Sequence, residues 1–295
     1  MQTLSLGGDK MDEVKLIMLG TGSPRPDLKH DSSGQVLLVD NQPILIDCGE
    51  GVTRKMMQSG IEMRDVEQLW FTHLHSDHVV GYGQFLLGGW TAGRKKLTIV
   101  DPIGVKKMHQ TFLNMFKEDI EYRVSLGKNP EGLLDATIIE IGSPGEIKTN
   151  LPLKVFAEEM IHNVKTYAYR FELENRTIVI SGDTAPTPKL APFAKGADLL
   201  VHDAAMAKND AYKPPLTKER EKMWRNLQFE HCTPAQAAEH AKKAGVQHLV
   251  LTHFLPQVDE DLAYQEAREV FDGEITIAQD LQVINIKKKS GVETR

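Results

Sequence analysis

The stretch QLWFTHLHSDHVVGYG, residues 68–83, places His73, His75, Asp77 and His78 within six positions directly after an apolar run. Imidazole and carboxylate are the side chains that suit zinc, iron and manganese, and ligands on one short loop lower the entropic cost of closing a site. Alternation along an extended backbone puts His73 and His75 on the same side. Asp77 and His78 follow where the chain turns toward a helix, so they can address a second ion. A single histidine in a loop is usually just solvated. Four metal-capable groups at this spacing, behind a buried-strand pattern, point to a metal centre.

Apolar, β-branched-rich runs bounded by turn residues predict strands at 14–19, 35–39, 43–46, 68–72, 96–100, 137–141, 153–158, 166–173, 176–181, 198–201, 248–252 and 275–286. Helical periodicity is clearest at 104–116, 233–244 and 261–271. The second of these has Thr233 as cap, Pro234 at the first helical position and Gly245 just past its end. No long Pro/Gly/Ser linker, repeat or low-complexity segment interrupts the pattern. One domain over 14–290, with two sheets and helices on their outer faces, fits best. Residues 1–13 read as an N-terminal extension, and KKKSGVETR as a frayed tail.

The composition, 41% hydrophobic and 26% charged with net charge −6, is that of a globular protein and argues against a broad basic surface for nucleic acid. Cys48 and Cys232 are the two cysteines, so no disulfide framework is expected. No apolar run approaches the ~18 residues that span a bilayer, and the N-terminus lacks a secretory pattern. The expected location is cytoplasmic, or periplasmic or secreted if a signal has been removed.

THLHSDH resembles the HxHxDH signature of the metallo-β-lactamase superfamily. LGTGSPRP (19–26), LIDCGEG (45–51), the segment carrying His162, ISGDTAP carrying Asp183, and LVLTHF carrying His253 follow in the family order, from about residue 14 to 286. Five ordered elements are far more specific than one motif. The resemblance implies the αββα sandwich of that fold and a pair of divalent ions, with zinc leading and iron or manganese as alternatives. It implies that His73, His75 and His162 hold one ion, and Asp77, His78 and His253 the other. Asp183 would bridge them, with a hydroxide between the ions as nucleophile and Asp77 managing its proton. Two ions roughly 3.5–4 Å apart suit ester hydrolysis. Asp47 is expected to orient a ligand histidine through its other ring nitrogen rather than to bind metal. Cys48 and Cys232 are expected to be packing residues.

EHCTPAQAAEHAKKAGVQHLVLTHF (230–254) resembles the helix-and-strand unit of ribonuclease Z and its relatives. There the histidine corresponding to His231 reaches the reacting centre and is partnered by a glutamate. Here ADLLVHDAAM puts Asp203 in its place, one methylene shorter, so the contact is expected to be longer or differently aimed. A carboxylate-supported imidazolium can protonate a leaving oxygen; the plainer alternative is that His231 caps the helix and Asp203 ends a strand. The interval 110–159 is short and acidic where the transfer-RNA processing enzymes carry a long basic arm, and phosphate contacts need Lys and Arg. LLGGWTAGRKK (86–96), SGDTAP and AKGADLLVHD look like the arylsulfatase-like and ribonuclease Z-like hydrolases.

The expected activity is therefore two-metal hydrolysis of a phosphodiester or aryl sulfate ester of a small substrate. A tRNA 3′-endonuclease, a β-lactamase or lactonase, and a non-catalytic metal-dependent binding protein are the alternatives. A homodimer is expected from the resemblance alone. Tyr212, Trp224 and Trp90 are candidates for an apolar wall around the leaving group, or equally for a core or dimer interface. Among the other histidines, His202 is expected to sit behind the site, His240 and His248 at the surface or core edge, and His30 to line the pocket.

Overall fold

The structure is a computed structural model that describes residues 14–208 and 215–286. The N-terminal extension, the C-terminal tail and Tyr212 lie outside the described residues. Among those described, two seven-stranded sheets face each other. The first holds β1 (Val14–Gly20), β2 (Gly34–Val39), β3 (Gln42–Ile46), β4 (Gln68–Trp70), β5 (Thr98–Pro102) and β6 (Thr137–Ile141), with β14 (Val283–Asn285) beside β1. The second runs from β7 (Gly145–Ile147) through β8 (Lys154–Glu159), β9 (Tyr167–Leu173), β10 (Arg176–Ile180), β11 (Leu199–Asp203) and β12 (His248–Thr252) to β13 (Glu274–Ile277). Both sheets are mixed: β3 to β6 are parallel, as are β10 to β13, and the other neighbours are antiparallel.

Alternation along the strands sorts side chains into layers. Leu16, Leu37, Ile44, Trp70, Tyr169, Phe171, Ile178 and Val250 point between the sheets. Trp70 meets Tyr169 and Phe171 edge-on at centroid distances of 5.3 and 5.7 Å, a favoured aromatic geometry. The opposite set on the first sheet is covered by α1 (Val52–Gln58) and α3 (Tyr82–Ala92), with α4 (Val105–Met115) and α5 (Lys117–Ser125) beyond. The outer face of the second sheet is covered by α6 (Leu190–Phe193), α8 (Pro234–Ala244) and α9 (Glu260–Arg268). This is the αββα sandwich the sequence implied. No helix among the described residues is long and apolar enough to cross a membrane.

Two expectations need correction. The run 275–286 is two strands in different sheets, β13 and β14, joined by a turn in which Leu281 has φ 65°. The turn is held by Asp280, whose carboxylate accepts from Thr21 N, Thr21 Oγ1, Asp31 N and Lys55 Nζ. Helix α3 was hidden because Phe85, Leu86 and Trp90 are buried with Tyr82, Gly83 and Gly89, leaving no polar face to set a period. Helix α8 matches its expectation closely. Thr233 Oγ1 accepts from Gln236 N while Gln236 Oε1 accepts from Thr233 N, a reciprocal cap.

The topology also gathers the site. Strands β3, β4, β8, β10, β11 and β12 all end on one edge, so the residues following them converge there, as ligands do at the carboxyl ends of parallel strands.

Candidate metal centre

Short segments after those strands carry the functional side chains: Asp47 after β3, His73 and His75 after β4, His162 after β8, Asp183 after β10 and His253 after β12. Asp77 and His78 lie in α2 (Ser76–Val79), a single turn that aims both inward. Asp47 and His253 adopt left-handed backbone, φ 60° and 65°, an unfavourable state for a side-chain-bearing residue that recurs at functional sites.

Asp183 Oδ2 is the hub. It lies 3.3 Å from His253 Nε2, 3.5 Å from His78 Nε2, 3.6 Å from His73 Nε2 and 3.9 Å from His162 Nε2. His162 Nε2 is 3.2 Å from His75 Nδ1, and Asp77 Oδ2 is 3.1 Å from His253 Nε2 and 3.7 Å from His78 Nε2. His73, His75, His162 and Asp183 form one group able to hold an ion, and Asp77, His78 and His253 another. The first adds Asp183 to the three histidines expected for one ion, the second has the three residues expected for the other, and Asp183 also lies within reach of His231 and His253. The buried Nε2 atoms of His73 and His78 have no hydrogen-bond partner. Leaving buried polar atoms unpaired is costly, whereas imidazole lone pairs converging around a carboxylate suit divalent cations. The donor set therefore fits a pair of ions.

Electrostatics follow burial and charge. Burial, reinforced by neighbouring His78, pushes the His73 pKa well below the ordinary range, and burial lowers that of His162; both are neutral donors. Burial opposes charge on His78, but Asp47, Asp183 and Asp77 outweigh it and raise its pKa. Burial would likewise raise Asp183 and Asp77, yet the adjacent histidines hold both carboxyls low and ionised.

Asp47 acts from behind, as expected. Its Oδ2 lies 2.9 Å from His78 Nδ1, and its Oδ1 accepts from Thr72 N at 2.8 Å. The Thr72 hydroxyl is within 3.1 Å of His73 Nδ1. Sequence reasoning missed Thr72, although its place directly before the motif was the available signal. It also missed the Glu230 carbonyl, which accepts from His162 Nδ1 at 3.1 Å and ties that ligand to the segment before His231.

His231 Nδ1 is 2.8 Å from Asp203 Oδ2 and 3.9 Å from Asp183 Oδ2. The shorter acid therefore reaches its partner at normal hydrogen-bond distance, contrary to expectation. Burial opposes charge on His231, but Asp203, then Asp183, outweigh it and hold its pKa up to about 9. The Asp203 carboxylate is further fixed by Ala205 N–H at 2.8 Å and Thr184 N–H at 3.2 Å.

Other candidates do not join the site. Trp90 is fully buried among the helices over the first sheet and donates to the Asn129 carbonyl, so it forms no wall beside the metals. Trp224 is half-buried on α7 (Lys218–Leu227). Exposed apolar residues within two positions of site residues include Phe229, Ile161, Val80 and Val164. His30 is buried, 2.7 Å from the Thr21 hydroxyl, and borders a surface pocket with Arg25, Pro256 and Glu260 that contains none of the metal-site residues. His240 is buried at the edge of the core, beside a surface groove lined by Pro188, Gln236 and Glu239. Both cysteines are fully buried, and burial pushes their thiols up and keeps them protonated.

Comparison with known proteins agrees with this architecture. The family model described as anti-Pycsar protein Apyc1 matches residues 14–253. A ribonuclease Z of Mycobacterium sp. (strain KMS) is 30% identical over 283 residues, covering 92% of this chain and 96% of that protein. The metallo-β-lactamase fold protein YhfI from Bacillus subtilis superimposes with a TM-score of 0.73 at 21% identity, covering 93% of this chain and 99% of its own. Human tRNase Z, short form (ELAC1), does so with a TM-score of 0.70 at 23% identity, covering 92% and 99%.

Proposed function

This chain belongs to the anti-Pycsar protein Apyc1 family, among the ribonuclease Z-like members of the metallo-β-lactamase superfamily, and on that premise we propose that it hydrolyses nucleotide phosphodiester bonds. When bound, two divalent ions lower the pKa of water and neutralise charge on the phosphoryl oxygens. The chain supplies the rest. His73, His75 and His162 would hold one ion and Asp77, His78 and His253 the other, with Asp183 between them. Asp77, ionised and facing both His78 and His253, is placed to take the proton of the attacking water. His231, kept protonated by Asp203, gives a proton to the departing alkoxide.

The observation that carries this reading is the His231–Asp203 pair, 2.8 Å apart beside the metal cluster. A ribose oxygen is a poor leaving group and needs that proton. An aryl sulfate leaves as a stabilised phenolate and needs no such acid. None of the relatives named above is a sulfatase, and the sulfate ester reading goes no further.

The ribonuclease Z likeness puts RNA 3′ ends first among substrates, ahead of the small esters implied by the arylsulfatase-like resemblance. A small diester is the second reading, favoured by one feature of this chain. The connection from β5 to β7 is occupied by α4, α5 and β6, with Glu118, Asp119 and Glu121 on α5. It offers no run of Lys and Arg for a long phosphate backbone.

The test is metal quantification followed by turnover of a 3′-extended tRNA precursor, 3′,5′-cyclic mononucleotides, bis(p-nitrophenyl) phosphate and p-nitrophenyl sulfate. Turnover of the precursor would support the first reading, and of cyclic nucleotides alone the second. A protein loaded with two metals and inert toward every diester would refute both.

A further inference from the structure

His202 and His240 lie apart from the two metal groups above, beside the buried Cys232 thiol with which they form a third cluster of metal-capable side chains, and the two rings make a continuous polar link through a mostly apolar layer. His202 Nδ1 lies 2.8 Å from the Asp203 main-chain oxygen, and its Nε2 lies 2.9 Å from His240 Nδ1. His240 Nε2 in turn receives the Thr187 N–H at 3.4 Å. A carbonyl only accepts, so His202 carries its proton on Nδ1. Its Nε2 is then an acceptor, so His240 also carries its proton on Nδ1, leaving Nε2 free for Thr187. One assignment of protons satisfies every contact. The ring planes lie within 9° of parallel with centroids 5.2 Å apart. Burial lowers the pKa of both, that of His202 to about 3, so both rings are neutral.

The pair joins the two elements that carry the acid dyad. Asp203 is the last residue of β11, and its side chain faces the site while that of His202 faces α8. His231 lies just before the Thr233 cap of α8, and His240 lies within that helix. The packing between α8 and β11 is otherwise made by small or apolar side chains, among them Ala237, Ala238, Ala241 and Leu200. Such a surface resists separation but tolerates sliding, because apolar contact is non-directional. A hydrogen bond is directional and fixes the register.

We propose that His202 and His240 are positioning residues: a two-imidazole relay that locks α8 to the Asp203 main chain and so aims His231 at the leaving oxygen. This rests on the phosphodiesterase reading for its kinetic consequence, but not for its geometry. A displacement of the acid by about 1 Å is enough to cost on the order of 10²-fold.

The test compares the metal-loaded wild type with His240→Phe, which fills the space without a donor, and His240→Asn, whose amide can replace the Nδ1–H. Two substrates are used: a diester with an alkyl leaving group, and bis(p-nitrophenyl) phosphate, which departs without a proton. The Phe variant is expected to lose at least tenfold in kcat on the alkyl diester and less than twofold on the nitrophenyl ester. KM and metal content stay unchanged, and Asn recovers most of the loss. Equal activity of the Phe and wild-type proteins, or equal losses on both substrates, would overturn the positioning role. Independently of turnover, ¹⁵N-histidine NMR of the wild type should show both rings neutral with the proton on Nδ1. An Nε2–H tautomer or an imidazolium at either position would overturn the relay itself. Inertness of the wild type toward all diesters would sink the phosphodiesterase reading, and the tautomers would still decide the relay.

Discussion

Replacing Asp203 by Asn separates the charge of that residue from its shape. Asparagine can still accept from His231 Nδ1, but it no longer favours the imidazolium. The raised value of about 9, against an ordinary 6.5, corresponds to roughly 3 kcal/mol at 1.36 kcal/mol per pH unit. His231 is 8% exposed, so little of this is screened by solvent. With the Asp203 carboxylate removed, burial is opposed only by the weaker pull of Asp183 and Glu230, so the pKa of the ring falls.

An acid must be protonated to work, so the wild type should hold its kcat on an alkyl-leaving-group diester until the pH rises through about 9. In the Asn variant the decline should begin at a lower pH, so that the rate at pH 7.5 falls relative to the wild type. The same linkage acts on stability. A folded-state pKa above the unfolded value stabilises fully below pH 6.5, and the contribution fades as the pH rises through about 9. The variant also leaves one of the Thr184 and Ala205 N–H groups facing an amide nitrogen, a loss of about 1–3 kcal/mol at every pH. The assay is kcat against pH for both proteins, with metal content checked at each point. An unmoved alkaline limb, with metals retained, would refute the assignment of His231 as the acid.

Asp183→Ala should leave the protein with less than half the bound metal of the wild type by elemental analysis. His231→Ala should keep its metal and lose about 10²-fold in kcat; equal metal loss in both would remove His231 from its role. Asp47→Ala frees His78 Nδ1 and should weaken metal affinity about 10–100-fold in a chelator competition. Trp90→Ala should cost about 3–5 kcal/mol in denaturant unfolding, while KM for nitrophenyl esters stays within twofold; a large KM change with little loss of stability would return Trp90 to the pocket.

The proposed metal ligands were legible in the sequence because each sits in a short motif whose spacing the chemistry dictates. His73, His75, Asp77 and His78 share one turn, and His162, Asp183 and His253 each follow a readable strand. The αββα arrangement followed from the alternation of buried strands and the family order of those motifs. The register of α8 against β11 had no local signature, because it depends on residues almost forty positions apart meeting across an apolar layer. Hence His202 could be read as sitting behind the site but not as a partner of His240, and only their 2.9 Å contact reveals the link. The choice between wall and core for Trp90 stayed open for the same reason, since its surroundings come from Asn129 and the helices over the first sheet. The reach of Asp203 was likewise undecidable from its length, because the position of the backbone set the distance. Local chemistry selects which groups can act; the packing of distant segments decides where each one points.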